Sequence, residues 1–523
     1  MQGAIIPKLY HSNATLRLTP LYYKVQMKTN SARGIHSAGM ASISPQSVEC
    51  SARLGIARLD NQPETRIGGD LFIAIIPFKK EEHDEATTHS PETLLTISNI
   101  ASMISWRDLL FVTSIAAIVQ LGVGETITTT TALAPSKWVH PGAMISQSQL
   151  DFVKSKVNNG EQPWADAYDA LMEDESVSNP QAPSPHVIVE CGPYSDPDIG
   201  CKAERDDSLA AYANALAWAI NGTKAYAEQA IRIMDAYSST IQGHNNSNAP
   251  LQSGWVGSVW ARTGEIIRYT DAGWSDDGIT QFEDMLRNVY MPLTLNGTTG
   301  TANWELGCIV MTEAAIMMAV FLEDADSYNT AMDWHLKRVP ATVYMTSDGE
   351  YPAAARGHSS DPDAIISWWF NQTTFQENGQ SQETCRDLEH TGYSFASMAH
   401  VAETSRIQGT DLYKEDLGTR LRYALEFHSQ FENGVAAPAW LCGGELKLAL
   451  RAVTEVGFNA LSFRMGIDMP QTENLTVKQR PAENNGLFVA SKVDVLSSEN
   501  IYCALSHICG AQCVLYGVKI LYY

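Results

Sequence analysis

From residue 146 onward, apolar residues recur at spacings of three and four, the period of a helix with one buried face. That period predicts helices over 148–158, 164–173, 207–220, 224–240, 254–269, 279–290, 304–323, 328–338, 383–407, 412–431 and 446–455. Asp206 or Asp207 is placed to cap the third, and Asn303 the seventh. Strand-like alternation is scarce. Long loops, 241–253 and 347–381 among them, separate several helices, and such loops often carry function. Paired antiparallel helices with long loops on one side predict an all-α fold. The expected form is an (α/α) toroid, an incomplete α/α barrel whose rim loops build a cleft. No exact internal repeat is present.

The helix predicted over 304–323 is the most apolar, yet Glu305 and Glu313 lie inside it and argue against a membrane span. Its Met317 and Met318 read as core filler.

The two ends have a different character. Residues 1–102 show no sustained period and are rich in Ser, Thr and isolated charges. They are expected to be unstructured or to be an upstream extension of the reading frame. A short, weakly basic start at Met103–Arg107 precedes the uncharged run LLFVTSIAAIV at 109–119, and small residues follow at 132–134. This order reads as a secretory signal peptide over 103–134, with Met103 the biological start. An internal signal anchor and a disordered pro-region are the alternatives. The run is too short to cross a bilayer comfortably. Residues 135–489 form the expected catalytic domain, and 490–523 a divergent tail. In that tail Cys509, Cys513 and His507 have poor spacing for zinc, and no metal site is expected.

Charge narrows the partners. The 523 residues carry 59 Asp and Glu against 36 Lys and Arg, a formal net charge of −23. That balance argues against a general nucleic-acid binder and leaves room for a local basic cleft. Nine cysteines are too few for a disulfide scaffold. Cys191 and Cys201 bracket the turn-rich GPYSDPDIG and read as a local disulfide in an exported protein; two free buried thiols are the alternative. Asn-x-Ser/Thr triplets at Asn221, Asn245, Asn296, Asn371 and Asn474, with one more at Asn13, fit export.

Candidate chemistry concentrates in a few segments. QETCRDLEHTGYSF at 382–395 holds Glu383, Arg386, Asp387, Glu389, His390 and Tyr393. On a helix, Arg386, His390 and Tyr393 fall at i, i+4 and i+7 and share one face, with Glu383 one turn earlier. A guanidinium, an imidazole and a phenol on one face suit an anionic ligand and proton transfer. Asn303 and Trp304 open the most apolar helix, where backbone N–H groups can meet an anion; Asn303 serves equally as a plain cap. SDGEYPAAARGH contributes Asp348, Tyr351, Arg356 and His358 from a long loop. GHNNSNAPLQSGW contributes His244, Asn248, Gln252 and Trp255, amide and indole groups that suit sugar hydroxyls or turn-making.

These segments resemble the alginate lyase domain family of fungal and bacterial polysaccharide lyases. Within it the chain is most similar to the polysaccharide lyase family 38 branch, which includes glucuronan lyases. The resembling pieces are NAPLQSGW at 248–255, NWELGCIVMTEAA at 303–315, TSDGEYP at 346–352, 382–413 and VGFNALSFRMGIDMP at 456–470. The 382–413 piece is the most specific, and the likeness spans about 135–489. The N-terminal hundred residues and the segment from Ser491 onward depart from the family pattern.

The resemblance implies β-elimination on a 1,4-linked polyuronate such as glucuronan or alginate. Asn303 and Arg386 would neutralise the uronate carboxylate. Tyr393 would be the acid and a candidate base, its pKa lowered by nearby Arg386. His358 is the candidate base or second neutraliser, with His390 competing. Asn248, Gln252, Trp255, Trp304, Arg356 and His390 would bind substrate. The expected protein is a secreted monomer that needs no cofactor, acts on an anionic polysaccharide, and has no nucleic-acid partner and no stable membrane association once the signal is removed. The rivals are an α/α-toroid glycoside hydrolase, which needs two opposed carboxylates, and a non-catalytic carbohydrate-binding protein.

Overall fold

The computed structural model describes residues 133–296 and 305–480, with side chains described from Ile309 in the second stretch. The signal-peptide run, residues 1–102, the 490–523 tail, Asn303 and Trp304 lie outside the described residues.

The helices follow the apolar period. In chain order those of seven residues or more are α1 (Gln147–Asn158), α2 (Trp164–Glu173), α3 (Cys201–Asn221), α4 (Lys224–Ser238), α5 (Ala249–Tyr269) and α6 (Asp276–Met285). After these come α7 (Glu305–Phe321), α8 (Ala325–Thr342), α9 (Pro362–Trp368), α10 (Leu388–Ile407), α11 (Asp416–Glu432) and α12 (Pro470–Lys478). A small sheet interrupts the helices. Its middle strand β1 (Ile188–Cys191) is antiparallel to β2 (Asp198–Ile199) and parallel to β3 (Gly243–Asn245).

Side-chain register fixes the architecture. Gln252 donates to the Cys201 carbonyl at 3.0 Å near the starts of α5 and α3, and Trp218 donates to Thr270 Oγ1 at 2.8 Å near their ends. A Cβ on Gly254 would sit 3.2 Å from Met311 Cα, and one on Gly264 only 2.8 Å from the Phe321 ring, so α5 and α7 lie side by side in close contact. Ser397 donates to the Ile309 carbonyl at 3.0 Å, and His400 meets Glu313 at 2.9 Å. In each pair the residue numbers rise together. Thus α3, α5, α7 and α10 run in one direction. The return helices run against them: Tyr237 of α4 reaches Asp207 of α3 at 2.8 Å, His335 of α8 meets Thr312 of α7 at 2.9 Å, and Phe395 of α10 packs on His428 of α11. This is the all-α, (α/α)-toroid arrangement expected from the period.

Burial explains why the one-directional helices are inside. In α10 every residue from Thr391 to Ser405 is buried. Phe395, Met398 and Val401 are fully covered, each contributing roughly 1.5–3 kcal/mol of hydrophobic stabilisation. The inner helices carry a buried polar knot: Arg262 Nη2 meets Glu313 Oε1 at 2.5 Å, and His400 Nδ1 meets the same oxygen at 2.9 Å. No helix of the described residues is long and apolar enough to cross a membrane.

Some predicted boundaries are corrected. Helix α3 begins at Cys201, after Gly200 at φ +84°, and not at 207. Neither Asp206 nor Asp207 caps it: Asp206 pairs with Lys202, and Asp207 accepts from the Ser184 N–H and the Tyr237 hydroxyl. The helix predicted from 383 begins at Leu388, because Asp387 is extended (φ −174°) and its carboxylate caps the His390 N–H. No helix covers 446–454. There Ala449 and Arg451 take φ of +142° and +61°, which a helix cannot accept, and the Glu432 carboxylate binds the Ala449 and Leu450 N–H groups.

Candidate functional site

Because α3, α5, α7 and α10 are parallel, their N-termini gather at one rim. Each brings the positive end of its dipole there. The loops that precede them lie at that rim as well. Gln382, for example, donates to Trp368 O and its backbone N–H bonds the Thr342 carbonyl at the end of α8.

The entry to α10 holds the densest chemistry. Asp387 caps the helix and also accepts His390 Nδ1 at 2.6 Å. Arg386 Nη1 donates to Glu383 Oε1 at 3.0 Å, and its Nε lies 3.9 Å from Asp387 Oδ2. The His390 and Tyr393 rings are 6.0 Å apart, edge to face. Tyr393 donates to Glu389 Oε1 at 2.9 Å, and Arg451 reaches the same oxygen at 3.3 Å. The sequence segment therefore folds into a polar chain: Glu383, Arg386, Asp387 and His390 on one side, Tyr393, Glu389 and Arg451 on the other.

This corrects the single-face reading. Arg386 does not share a helix with His390 and Tyr393; it sits in the turn before the cap. What joins it to His390 is the shared partner Asp387.

Charge states follow from the surroundings. Burial opposes the Asp387 charge, but the hydrogen bonds from His390 and the charge of Arg386 hold its carboxyl below the usual value. Glu383 is pushed up, because its burial outweighs the Arg386 and His390 charges. Tyr393 is raised well above an ordinary phenol, by burial first and by the Glu389 carboxylate second. The expected lowering by Arg386 does not occur. With Nδ1 facing a carboxylate, His390 carries its proton there and keeps Nε2 as the basic nitrogen. Its side chain is 26 % exposed.

The second predicted cluster lies on α5 and its neighbours. Gln252 is wholly buried, donating to Glu204 Oε2 at 2.6 Å and accepting from Arg205 Nη1 at 2.8 Å. It braces Arg205 and does not face solvent. Asn248 is buried at the start of α5, beside the sheet. Arg205, which the sequence reading missed, places its guanidinium 5.8 Å from the Trp255 ring. Glu204 also takes His244 Nε2 at 2.9 Å. A disulfide joins Cys191 to Cys201 and closes the loop that enters α3.

The third cluster lies against Trp368, whose carbonyl accepts from Gln382. His358 is exposed and packs on Trp368, ring centroids 4.0 Å apart, and Arg356 lies 4.4 Å over Trp334. Burial against Trp368 and the Arg338 charge lower the His358 pKa. No hydrogen bond or ion pair among the described residues joins His358 to the Asp387 group.

A further disulfide, Cys385–Cys442, was not expected from sequence. It ties the turn that carries Arg386 to the 433–454 loop. Among the described residues no group of three or more His, Cys, Asp or Glu is placed to hold a metal ion.

No family model matches the chain, and no curated protein matches it. Similar solved structures include an alginate lyase from Bacteroides ovatus, with 12 % identity and a TM-score of 0.43, covering 69 % of this chain and 100 % of that one. Another is alginate lyase A1-III from Sphingomonas species A1, with 12 % identity and a TM-score of 0.42, covering 64 % and 91 %. A variant of alginate lyase A1-III complexed with tetrasaccharide gives 11 % identity and 0.43, covering 66 % and 90 %. Likeness at this level does not carry an activity across.

Proposed function

We propose that the chain is a secreted polysaccharide lyase that cleaves a 1,4-linked polyuronate by β-elimination. The observation that carries this reading is the Asp387–His390 pair set beside Tyr393, with Arg386 on the same aspartate. It supplies an oriented base, a phenol that keeps its proton, and a cation in one place.

In this reading Arg386 binds the uronate carboxylate and lessens the charge that would build up when the C5 proton leaves. Asn303, on the family resemblance, shares that task. His390 Nε2 takes the C5 proton. The electrons of the C5–H bond form the C4=C5 double bond, the C4–O4 bond breaks, and Tyr393 gives its proton to O4. Solvent then removes the proton from His390 and restores that of Tyr393. No water enters the product. Preference for His390 as base over Tyr393 rests on the raised phenol pKa and on Asp387, which fixes the imidazole tautomer. His358 and Arg356, packed against Trp368 and Trp334, fit a further contact to the polymer.

Secretion rests on the 103–134 signal and on the five Asn-x-Ser/Thr asparagines of the described residues. Asn221, Asn245, Asn296, Asn371 and Asn474 are all exposed. The resembled branch includes glucuronan lyases, and glucuronan, polymannuronate and polyguluronate all stay open as the polymer.

The test is incubation of the protein with glucuronan, polymannuronate and polyguluronate while following ultraviolet absorbance of the unsaturated uronate. A rise on one polymer that is lost in Tyr393→Phe supports the lyase and identifies its substrate. Chain shortening without absorbance would move the assignment to a hydrolase, and binding without shortening to a carbohydrate-binding protein.

A further inference from the structure

The 442–454 loop is held in place along its length, and its course is unusual. The Cys385–Cys442 disulfide ties its start to the residue before Arg386. The Lys447 carbonyl accepts the Leu388 N–H at 2.9 Å, at the first residue of α10. The Leu450 carbonyl lies where a side chain on Gly392 would be, 2.5 Å from that Cβ position, so only glycine lets the loop seat on the helix. Glu432 Oε1 binds the Ala449 and Leu450 N–H groups, each at 2.7 Å, and Gln479 Nε2 binds the Arg451 carbonyl at 3.1 Å. Within this frame Ala449 and Arg451 both have positive φ.

The result of this course is that Arg451 reaches Glu389, the carboxylate that accepts the Tyr393 hydroxyl. The Arg451 side chain is 46 % exposed. A half-exposed ion pair returns less stability than left-handed backbone at a non-glycine residue costs. The disulfide and the bonds to Leu388, Glu432 and Gln479 hold the backbone in this course, and the course leaves an accessible guanidinium on the Tyr393 side of the site.

We propose that Arg451 is a substrate-binding residue that takes a second uronate carboxylate of the same polymer, apart from the one held by Arg386. The inference rests on the polyuronate reading given above and deepens it. With Arg386 on one side of the α10 entry and Arg451 on the other, two anionic sugars of one chain are engaged, which favours a uronate run over an isolated uronate in a neutral polymer. A planar guanidinium suits a carboxylate through paired N–H donors.

The experiment compares the full chain with Arg451→Ala, Arg451→Lys and the surface control Lys337→Ala, in two assays. One is lyase kinetics by ultraviolet absorbance on glucuronan and on alginate. The other is equilibrium affinity for the same polymers by retardation in polymer-containing gels, which needs no turnover. Thermal melting checks that each variant is folded. The expected result for Arg451→Ala is a rise of about tenfold in KM, a smaller change in kcat, and a matching loss of affinity that fades at high salt. Arg451→Lys should keep part of the affinity, and Lys337→Ala all of it. Unchanged affinity in folded Arg451→Ala overturns the proposal, as does a loss confined to kcat and melting temperature. If Arg451→Ala does not fold, Arg451→Lys decides by the same readings. Absence of any lyase product with affinity still lost in the variant would sink the lyase reading and leave Arg451 as a polyuronate contact. Lyase product with affinity unchanged would do the reverse.

Discussion

Asp387 holds His390 twice, through the backbone N–H at 2.9 Å and through ring Nδ1 at 2.6 Å. One carboxylate thus starts α10 and sets the direction of an imidazole in its first turn. Capping and orientation are separable by chemistry, because asparagine caps a helix about as well as aspartate but gives the imidazole no negative partner.

Asp387→Asn is therefore expected to melt near the parent protein and to lose lyase rate, by on the order of 10²-fold. Asp387→Ala should show a similar rate loss plus about 1 kcal/mol of stability from the missing cap. His390→Ala should lose rate on the order of 10²–10⁴-fold. Initial-rate kinetics and thermal melting of the three variants check this. A His390→Ala enzyme of parental rate would move the base elsewhere.

Tyr393 stays protonated because it is buried and bonded to Glu389. Removing the carboxylate charge in Glu389→Gln lowers the phenol pKa. The alkaline limb of the pH–rate profile should then move to lower pH, while Tyr393→Phe should abolish turnover with little change in melting. A pH profile of Glu389→Gln that overlays the parent would exclude Tyr393 as the titrating acid.

Two buried histidines make the fold acid-sensitive. His335 and His428 are pushed down to about 4 by burial. Between their unfolded value of about 6.5 and this folded value, the unfolded chain binds more protons, so stability falls as pH drops through that window. The loss amounts to about 3 kcal/mol for each when fully developed. Glu313 works at lower pH. Burial opposes its charge, but His400 and Arg262 hold it at about 2, so its stabilisation is present above the unfolded carboxylate value and is lost as pH falls toward 2. Denaturant midpoints measured from pH 7 to 3 check the first effect, and Glu313→Gln, which leaves Arg262 without its buried carboxylate, should cost about 3–5 kcal/mol at pH 7.

The Cys385–Cys442 bond closes a loop with a sequence separation of 57. Chain entropy assigns such a closure about 4 kcal/mol. Cys442→Ser should lower the melting temperature and also raise KM, since the turn carrying Arg386 loses its tie. A KM that stays constant in Cys442→Ser would confine the bond to a stabilising role.

Much of the helical layout was legible in the sequence, because burying one face imposes a period of three and four that any reader of the chain can count. Helix α2 came out at its observed bounds, and α7 within two residues at either end. The dense segment at 382–395 was legible as a concentration of candidate chemistry by its residue types alone. Its wiring was not. A cap that breaks the helix before Leu388 depends on the backbone angle of Asp387, and the apolar period continues across it without a mark. The burial of Gln252 was not legible, because it depends on Glu204 of α3, far away in the chain. Arg451 carried no signal at all in a stretch that reads as helical, and its place beside Glu389 comes from anchors at Cys385, Glu432 and Gln479. The sequence by itself determined the local elements and the stock of chemistry, since both are written in neighbouring residues. The tertiary structure decided which groups meet and which helix ends share a rim, because hydrogen bonds and packing between distant segments have no period in the chain.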